Sequence, residues 1–188
     1  MTKSVMSVRN PTQAITREPR PFLFLEPARI PTRAVALDPI GLERLDEACD
    51  DGVPALVRSL VNYSITLANR SPLQRGARQP IQLSVLNRRR RAARGWIVAV
   101  LAGKTDAATQ HAVCTQWIPT LCGTGPDLQA AAVQAPQFVE FLRGALTALV
   151  FSEPAENLLG AARALHVLET VLAVHLAAVK NVRRATAK

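Results

Sequence analysis

Apolar side chains recur at helical spacing along most of the chain after residue 37. In the stretch from Val53 to Asn69 they return every three or four positions, as one buried face of an amphipathic helix requires. Near the C-terminus the spacing is a strict seven residues: Leu158, Leu165, Leu172, Val179. Outside the N-terminal arm, no segment alternates apolar and polar residues as a strand does. The pattern predicts an all-α fold, a compact bundle of about five to seven helices.

Capping residues mark where several of these helices begin. Asp38-Pro39 and Thr105-Asp106 place an N-cap before the first turn of the first and fourth helices, and the fourth should reach Trp117. Residues 127–134 are predicted to form a short helix, and Pro136 is predicted to open the next one. Residues 152–154, Ser-Glu-Pro, predict the start of a last helix of about 26 residues, or roughly 40 Å.

The first 37 residues differ in composition from the rest and form a predicted extended arm. They are rich in Pro and Arg, and proline removes a backbone donor and fixes φ, so a continuous helix is excluded. The arm carries one apolar cluster bracketed by prolines: Phe22, Leu23, Phe24, Leu25. This cluster packs either on the chain's own core or on a neighbouring subunit. The sequence thus divides into an arm, 1–37, and a helical bundle domain, 38–188.

The formal net charge of +9 is concentrated in the arm and in the middle of the chain. From Gly52 to Thr105 there is no acidic residue, whereas acidic and basic residues balance from Asp106 onward. A positive field gathered in one stretch attracts polyanions. The predicted nucleic-acid-binding residues are eight of the nine arginines of this stretch: Arg70, Arg75, Arg78, Arg88, Arg89, Arg90, Arg91, Arg94.

Four consecutive arginines, Arg88 to Arg91, point in all directions around a helix. The first half of the helix over residues 82–101 should therefore project from the body or face a polyanion. Guanidinium groups suit phosphate oxygens and position a strand without reading its bases. The aromatic residue of this helix, Trp96, is expected in the core more than against a base. A DNA-binding regulator using this helix for recognition is a further possibility, although adjacent arginines suit phosphates better than base edges.

Catalytic and metal sites do not assemble from the sequence. His111, Cys114 and Cys122 lie close together, but a structural zinc site needs four ligands and no fourth is near. His166 and Glu169 lack the second Glu-x-x-His motif of a di-iron bundle. No nucleophile has a recognisable base and orienting group, and the loop at Gly123 lacks the Lys of a P-loop. We expect a protein that is not an enzyme and that holds no metal or cofactor.

The cysteines and the hydropathy pattern predict a cytoplasmic location. Three cysteines at irregular spacing do not suit a secreted disulfide framework, and residues 1–10 lack an apolar signal core. The longest apolar run, residues 158–179, contains Arg163 and Glu169, so a membrane span is not expected.

One segment resembles the small helical subunits of multi-subunit CRISPR effector complexes. The resemblance rests on an apolar-Pro-x-Leu turn before a glycine and a Leu/Ala-rich helix: Trp117-Ile118-Pro119-Thr120-Leu121, then Gly125, Leu128, Ala130 and Ala131. It covers about residues 105–180, and Pro126-Asp127 departs from the pattern. The resemblance implies copies stacked along a guide-RNA assembly that contact guide, target or displaced strand without cutting.

Two functions are therefore expected as alternatives. The first is a non-catalytic subunit of a ribonucleoprotein that binds the backbone of RNA or single-stranded DNA, beside other subunits and copies of itself. The second is a helical assembly module, in which the heptad face of the last helix mediates oligomerisation and the Arg cluster binds an acidic protein.

Overall fold

The structure, a computed structural model, describes residues 35–70, 81–125, 127–152 and 157–186. Within these ranges the chain forms helices and turns, and no strand occurs. The predicted all-α bundle is confirmed. Its helices are α1 (Pro39–Cys49), α2 (Val53–Arg70), α3 (Leu83–Leu101), α4 (Ala107–Ala112), α5 (Ile118–Cys122), α6 (Leu128–Val150) and α7 (Leu158–Thr186). A 3-10 turn links α1 to α2, and a π-helical turn (Val113–Trp117) joins α4 to α5.

Three predicted helix starts are confirmed by their caps. The carboxylate of Asp38 accepts a hydrogen bond from the backbone N–H of Ile40, and Pro39 occupies the first turn. Asp106 and Asp127 accept from the backbone N–H groups three residues onward, at 2.9 Å in both cases. Each cap satisfies a donor that the first turn leaves without an intrahelical partner.

Two helix boundaries predicted from prolines are wrong. The fourth helix does not stop at Trp117; the backbone widens into the π-helical turn and continues through Pro119 to Cys122. A widened turn accommodates the missing proline donor. Likewise Pro136 does not open a new helix, because it lies inside the continuous α6. Buried side chains on both sides of it, including Ala132 and Phe138, hold α6 together across the lost hydrogen bond.

The core is one aliphatic cluster to which nearly every helix contributes. Leu60 from α2, Ile97 from α3, Leu121 from α5, Leu142 from α6 and Leu168 from α7 are all buried. Aromatic rings join α2 to α6, where Tyr63 stacks on Phe141 with ring centroids 4.4 Å apart. Burial of these apolar groups is the main favourable term in folding.

The helix α7 packs along both α1 and α6. The approach to α1 is close: a Cβ added at Gly41 would lie 2.6 Å from the carbonyl oxygen of Arg163, so glycine is required there. The guanidinium of Arg163 pairs with Asp38 at 3.4 Å, and Arg143 of α6 pairs with Glu169 of α7 at 3.1 Å.

The heptad face of α7 lies largely within this bundle. Leu172 and Val179 are buried and Leu165 is half-buried, whereas Leu158 is exposed. The residues predicted to mediate oligomerisation are therefore mostly occupied by the chain's own core.

One window of α7, Leu158–Asn181, is long and apolar enough to cross a membrane by length and composition, which the sequence analysis did not expect. Of that window, 44% is buried inside the bundle.

Candidate nucleic-acid interface

The exposed arginines of α3 share one side of the helix. Arg88, Arg90, Arg91 and Arg94 are all exposed. At 100° per residue they fall within roughly 160° of arc, and the opposite half of α3 enters the core. Because the core covers the other half of α3, these four side chains stay on its solvent side. The helix therefore lies against the body of the protein and presents a basic face to solvent.

Arg89 is the exception, and its predicted role in nucleic-acid binding is not supported by its position. Its side chain is only 7% exposed, on the buried half of α3 beside Ala92 and Ala93. It reaches the C-terminal end of α5, where a Cβ added at Gly123 would lie 2.7 Å from Nη2 of Arg89. The first half of α3 therefore does not project from the body as one expectation had it: one side of it is buried, and the charge of Arg89 is buried with that side. The alternative expectation, that this half faces a polyanion, stays a prediction.

Burial places the Arg89 guanidinium in an unfavourable environment. Its Nε and Nη1 have no hydrogen-bond partner among the described residues. Desolvation lowers the pKa of Arg89, although the neighbouring Cys122 opposes the shift. A buried charge without a counter-ion destabilises a fold, so we expect the Arg89 guanidinium to lower the free energy of unfolding.

The exposed arginines of α3 are not neutralised by carboxylates of the described chain. The ion pairs found there involve other arginines, namely Arg44, Arg143 and Arg163. The basic face of α3, defined as Arg88, Arg90, Arg91 and Arg94, thus has no ion pair with a carboxylate among the described residues.

Several predicted binding residues lie outside the part of the chain that the structure describes. Arg75 and Arg78 lie outside the described residues, as does the side chain of Arg70. The apolar cluster Phe22, Leu23, Phe24, Leu25 also lies outside them, and of the predicted arm only residues 35–37 are described. Leu37 packs against the core.

A groove beside the basic face runs between α3 and α4. Its volume is about 550 Å3, and it is open to solvent. Three cations contribute to its lining: Arg91 and Arg94 from α3, and Lys104 from the turn that follows. Its apolar lining is Val98, Ala99, Ala108, Ala112 and Trp117.

Trp117 was not singled out by sequence reasoning as a functional side chain. It is half-buried, and its indole packs on the backbone of α3 at Gly95, where an added Cβ would lie 3.0 Å from Nε1. Glycine inside a helix costs about 1 kcal/mol relative to alanine, so a packing reason for Gly95 is expected. The sequence feature that could have pointed to the groove is a glycine inside a helix, Gly95, close to Arg91 and Arg94.

The other tryptophan is a core residue. Trp96 is completely buried, and its Nε1 donates a hydrogen bond to Nδ1 of His175 at 3.2 Å. Its expected place in the core is confirmed, and it cannot stack on a base.

The cysteines and histidines considered as metal ligands are dispersed or buried. Among the described residues no group of three or more His, Cys, Asp or Glu is arranged to hold a metal ion. Burial raises the pKa of Cys114 to about 11 and that of Cys122 to about 12. Both thiols therefore stay protonated at neutral pH, which is unfavourable for metal binding or nucleophilic attack.

Comparison with protein-family models, with curated proteins and with solved structures finds no match for this chain. The resemblance to CRISPR small subunits therefore stays a prediction from the residues that carry it.

Proposed function

We propose that this protein is a non-catalytic subunit that binds the sugar-phosphate backbone of a nucleic acid, RNA or single-stranded DNA, within a cytoplasmic ribonucleoprotein. The basic face of α3 is the binding surface. Lys104, exposed just beyond the end of α3, extends the positive charge toward α4.

The observation that carries the proposal is the set of four exposed guanidinium groups on one face of α3 without a carboxylate partner among the described residues. Arginine forks match phosphate oxygens in geometry and release condensed counter-ions when they bind a nucleic acid. Contacts of this kind fix position and carry no sequence information. Binding should therefore depend strongly on salt and weakly on sequence.

In finer form, we propose a small subunit of a CRISPR effector complex that contacts guide, target or displaced strand and stacks beside copies of itself. The segment from Trp117 to Leu121 supports this form, and its Trp117 lines the groove next to the basic face.

The test is a gel shift at low salt with single-stranded RNA and DNA of mixed sequence. The double variant Arg88→Glu, Arg91→Glu places two negative charges on the basic face and should abolish retention. Both side chains are exposed, so the fold should be retained, which circular dichroism verifies.

A matched control reverses two exposed cations elsewhere that form no ion pair among the described residues, Arg58 on α2 and Lys180 on α7, to glutamate. It changes the net charge by the same amount, so retention close to that of the wild type would assign binding to α3. Undiminished retention by the α3 variant would refute the proposal and favour an acidic protein as the partner of the basic face.

A further inference from the structure

The groove between α3 and α4 differs chemically from the basic face beside it. The basic face is purely cationic, whereas the groove combines an apolar floor with a cationic edge. Val98 in its floor is 44% exposed, although it is a large apolar residue. The groove has a volume of about 550 Å3 and is open to solvent, so a ligand in it would stay partly exposed.

Two features hold the Trp117 indole in place at this groove. The backbone of α3 at Gly95 packs against the ring, near Nε1, Cε2 and Cζ2. Trp117 is also the last residue of the π-helical turn, directly before the buried Ile118 and Pro119. An aromatic side chain fixed in this way loses little conformational freedom when a ligand packs on it.

We propose that the groove between α3 and α4 receives an unstacked base of a single-stranded nucleic acid, which stacks on Trp117 while Arg91, Arg94 and Lys104 contact the flanking phosphates. The inference rests on the proposed function and adds to it a preference for single strands over duplexes.

The combination of groups favours a base over the side chains of an acidic peptide. A carboxylate would satisfy the cations but would leave Trp117 and Val98 without an apolar partner. A nucleotide supplies both a flat π-face and a phosphate. In a duplex the bases are stacked on each other and cannot reach the indole, so the groove should discriminate against paired strands.

The nearby carboxylate of Asp106 does not cancel the positive charge of the groove. It accepts hydrogen bonds from the backbone N–H and from Oγ1 of Thr109, at 2.9 and 2.7 Å. These bonds commit it to capping α4 and lower its pKa. The positive charges of Arg91, Arg94 and Lys104 at the edge of the groove still outnumber the one negative charge of Asp106.

The two tryptophans of the chain differ enough to make fluorescence a direct test. Trp96 is completely buried, so quenching by a stacked base reports on Trp117. Titration of the full chain with oligouridylate should quench the emission, whereas inorganic polyphosphate and a duplex of equal charge should not. Equal quenching by polyphosphate, or none by a bound oligouridylate, would overturn the inference.

Substitution provides the second arm of the test. The variant Trp117→Leu keeps an apolar group against Gly95 and should weaken oligouridylate binding between about 5-fold and 150-fold, the range for one stacked base. Duplex binding should be unchanged. Phe151→Leu is the control, because it removes a different aromatic ring that is accessible to solvent, at the C-terminal end of α6. An equal loss for single strands and duplexes would refute base stacking.

The inference and the proposed function fail in distinguishable ways. If neither nucleic acid is retained by the wild type, both are wrong; if both are retained and Trp117→Leu weakens neither, only the stacking site is wrong. Should Trp117→Leu lose its helical signal, photocross-linking of the wild type to 5-bromouridine RNA decides. A cross-link at Trp117 supports the site, and cross-links confined to other residues reject it.

Discussion

The buried indole of Trp96 donates its Nε1–H to Nδ1 of His175 over 3.2 Å and thereby joins α3 to α7 in the interior of the bundle. Because the indole nitrogen can only donate, Nδ1 of the imidazole must be the acceptor. The proton of the neutral ring then sits on Nε2, which donates to the backbone carbonyl of Lys104 at 2.9 Å.

This chain of hydrogen bonds connects the core to the candidate site. Lys104 follows α3 and contributes to the lining of the groove, so His175 fixes the backbone at one end of that groove. A neutral imidazole satisfies both neighbours at once, whereas a protonated ring would place two donors, Nε1 of Trp96 and Nδ1 of His175, against each other.

The first prediction is that stability falls as the pH decreases below about 6.5, the ordinary value for an unfolded His. Burial lowers the pKa of His175 by more than the hydrogen bond to the Lys104 carbonyl and the charge of Asp106 raise it. Between the lowered folded pKa and 6.5 the unfolded chain binds more protons, so acid favours unfolding. Urea denaturation should show a loss of up to about 1.4 kcal/mol per pH unit in this window.

The variant His175→Leu serves as the control for that prediction. It should be less stable than the wild type at pH 7.5, since the Trp96 N–H loses its acceptor, at a cost of about 1–3 kcal/mol. Between pH 6.5 and 5 its stability should change less than that of the wild type. An identical slope for both proteins would show that other groups cause the acid sensitivity.

Sequence analysis predicted the helix starts correctly where each start depends on residues only a few positions apart. Asp38, Asp106 and Asp127 cap helices because their side chains reach N–H groups only two or three residues away. The helix boundaries predicted from Pro119 and Pro136 are wrong, because the effect of a missing backbone N–H depends on which side chains the rest of the helix buries. That information lies in tertiary packing and is absent from a local window.

The candidate site was predictable only in part, for the same reason. The charge distribution identified α3, and four of its five predicted arginines are exposed. Which of them enters the core depends on the placement of α2 and α5 against α3, so Arg89 could not be distinguished from Arg88. Trp117 lies 21 positions after Trp96 in the sequence, and it is the tertiary fold that brings its indole against α3 at Gly95.

The second prediction concerns Arg89, whose buried guanidinium should contribute little or nothing to stability. Replacing even a paired set of buried charges by well-packed apolar residues of similar volume is often neutral or stabilising, by about 1–4 kcal/mol, and an unpaired buried charge has no attraction to lose. Arg89→Met should therefore melt at the wild-type temperature or above and should bind nucleic acid as the wild type does. Arg90→Met, at an exposed position, should keep its stability within about 0.5 kcal/mol and bind more weakly. Loss of binding by Arg89→Met alone would return Arg89 to the interface.

The third prediction compares a glycine at a helix end with a glycine inside a helix. Gly123 ends α5 with a φ of 71°, and a Cβ there would meet the Arg89 guanidinium. Gly123→Ala should destabilise the protein by about 1–2 kcal/mol or more, because the left-handed conformation alone costs that much. Gly144, inside α6, has no atom within 4 Å of an added Cβ, so Gly144→Ala should stabilise by about 0.5–1 kcal/mol. Thermal unfolding of both variants measures the two signs.

A coupling between two of these positions provides a sharper test of the same contact. If the Gly123 penalty includes the steric conflict with Arg89, the variant Gly123→Ala should be less damaging in an Arg89→Met background, where the flexible thioether can move aside. The double-mutant cycle isolates this term. Strict additivity would mean that backbone strain accounts for the whole penalty.

The last prediction is that salt dependence can count the phosphate contacts of α3. For single strands the slope of log K against log salt concentration is about −0.7 for each phosphate neutralised. A single Arg→Gln substitution at position 88, 90, 91 or 94 should make this slope less steep by about 0.7, because we expect each exposed guanidinium to contact one phosphate. Arg89→Gln should leave the slope unchanged, since the buried group reaches no strand. Trp117→Leu should lower affinity at every salt concentration and keep the wild-type slope, because stacking releases no counter-ion. A flat response of the slope to all four exposed arginines would place the phosphates on some surface other than α3.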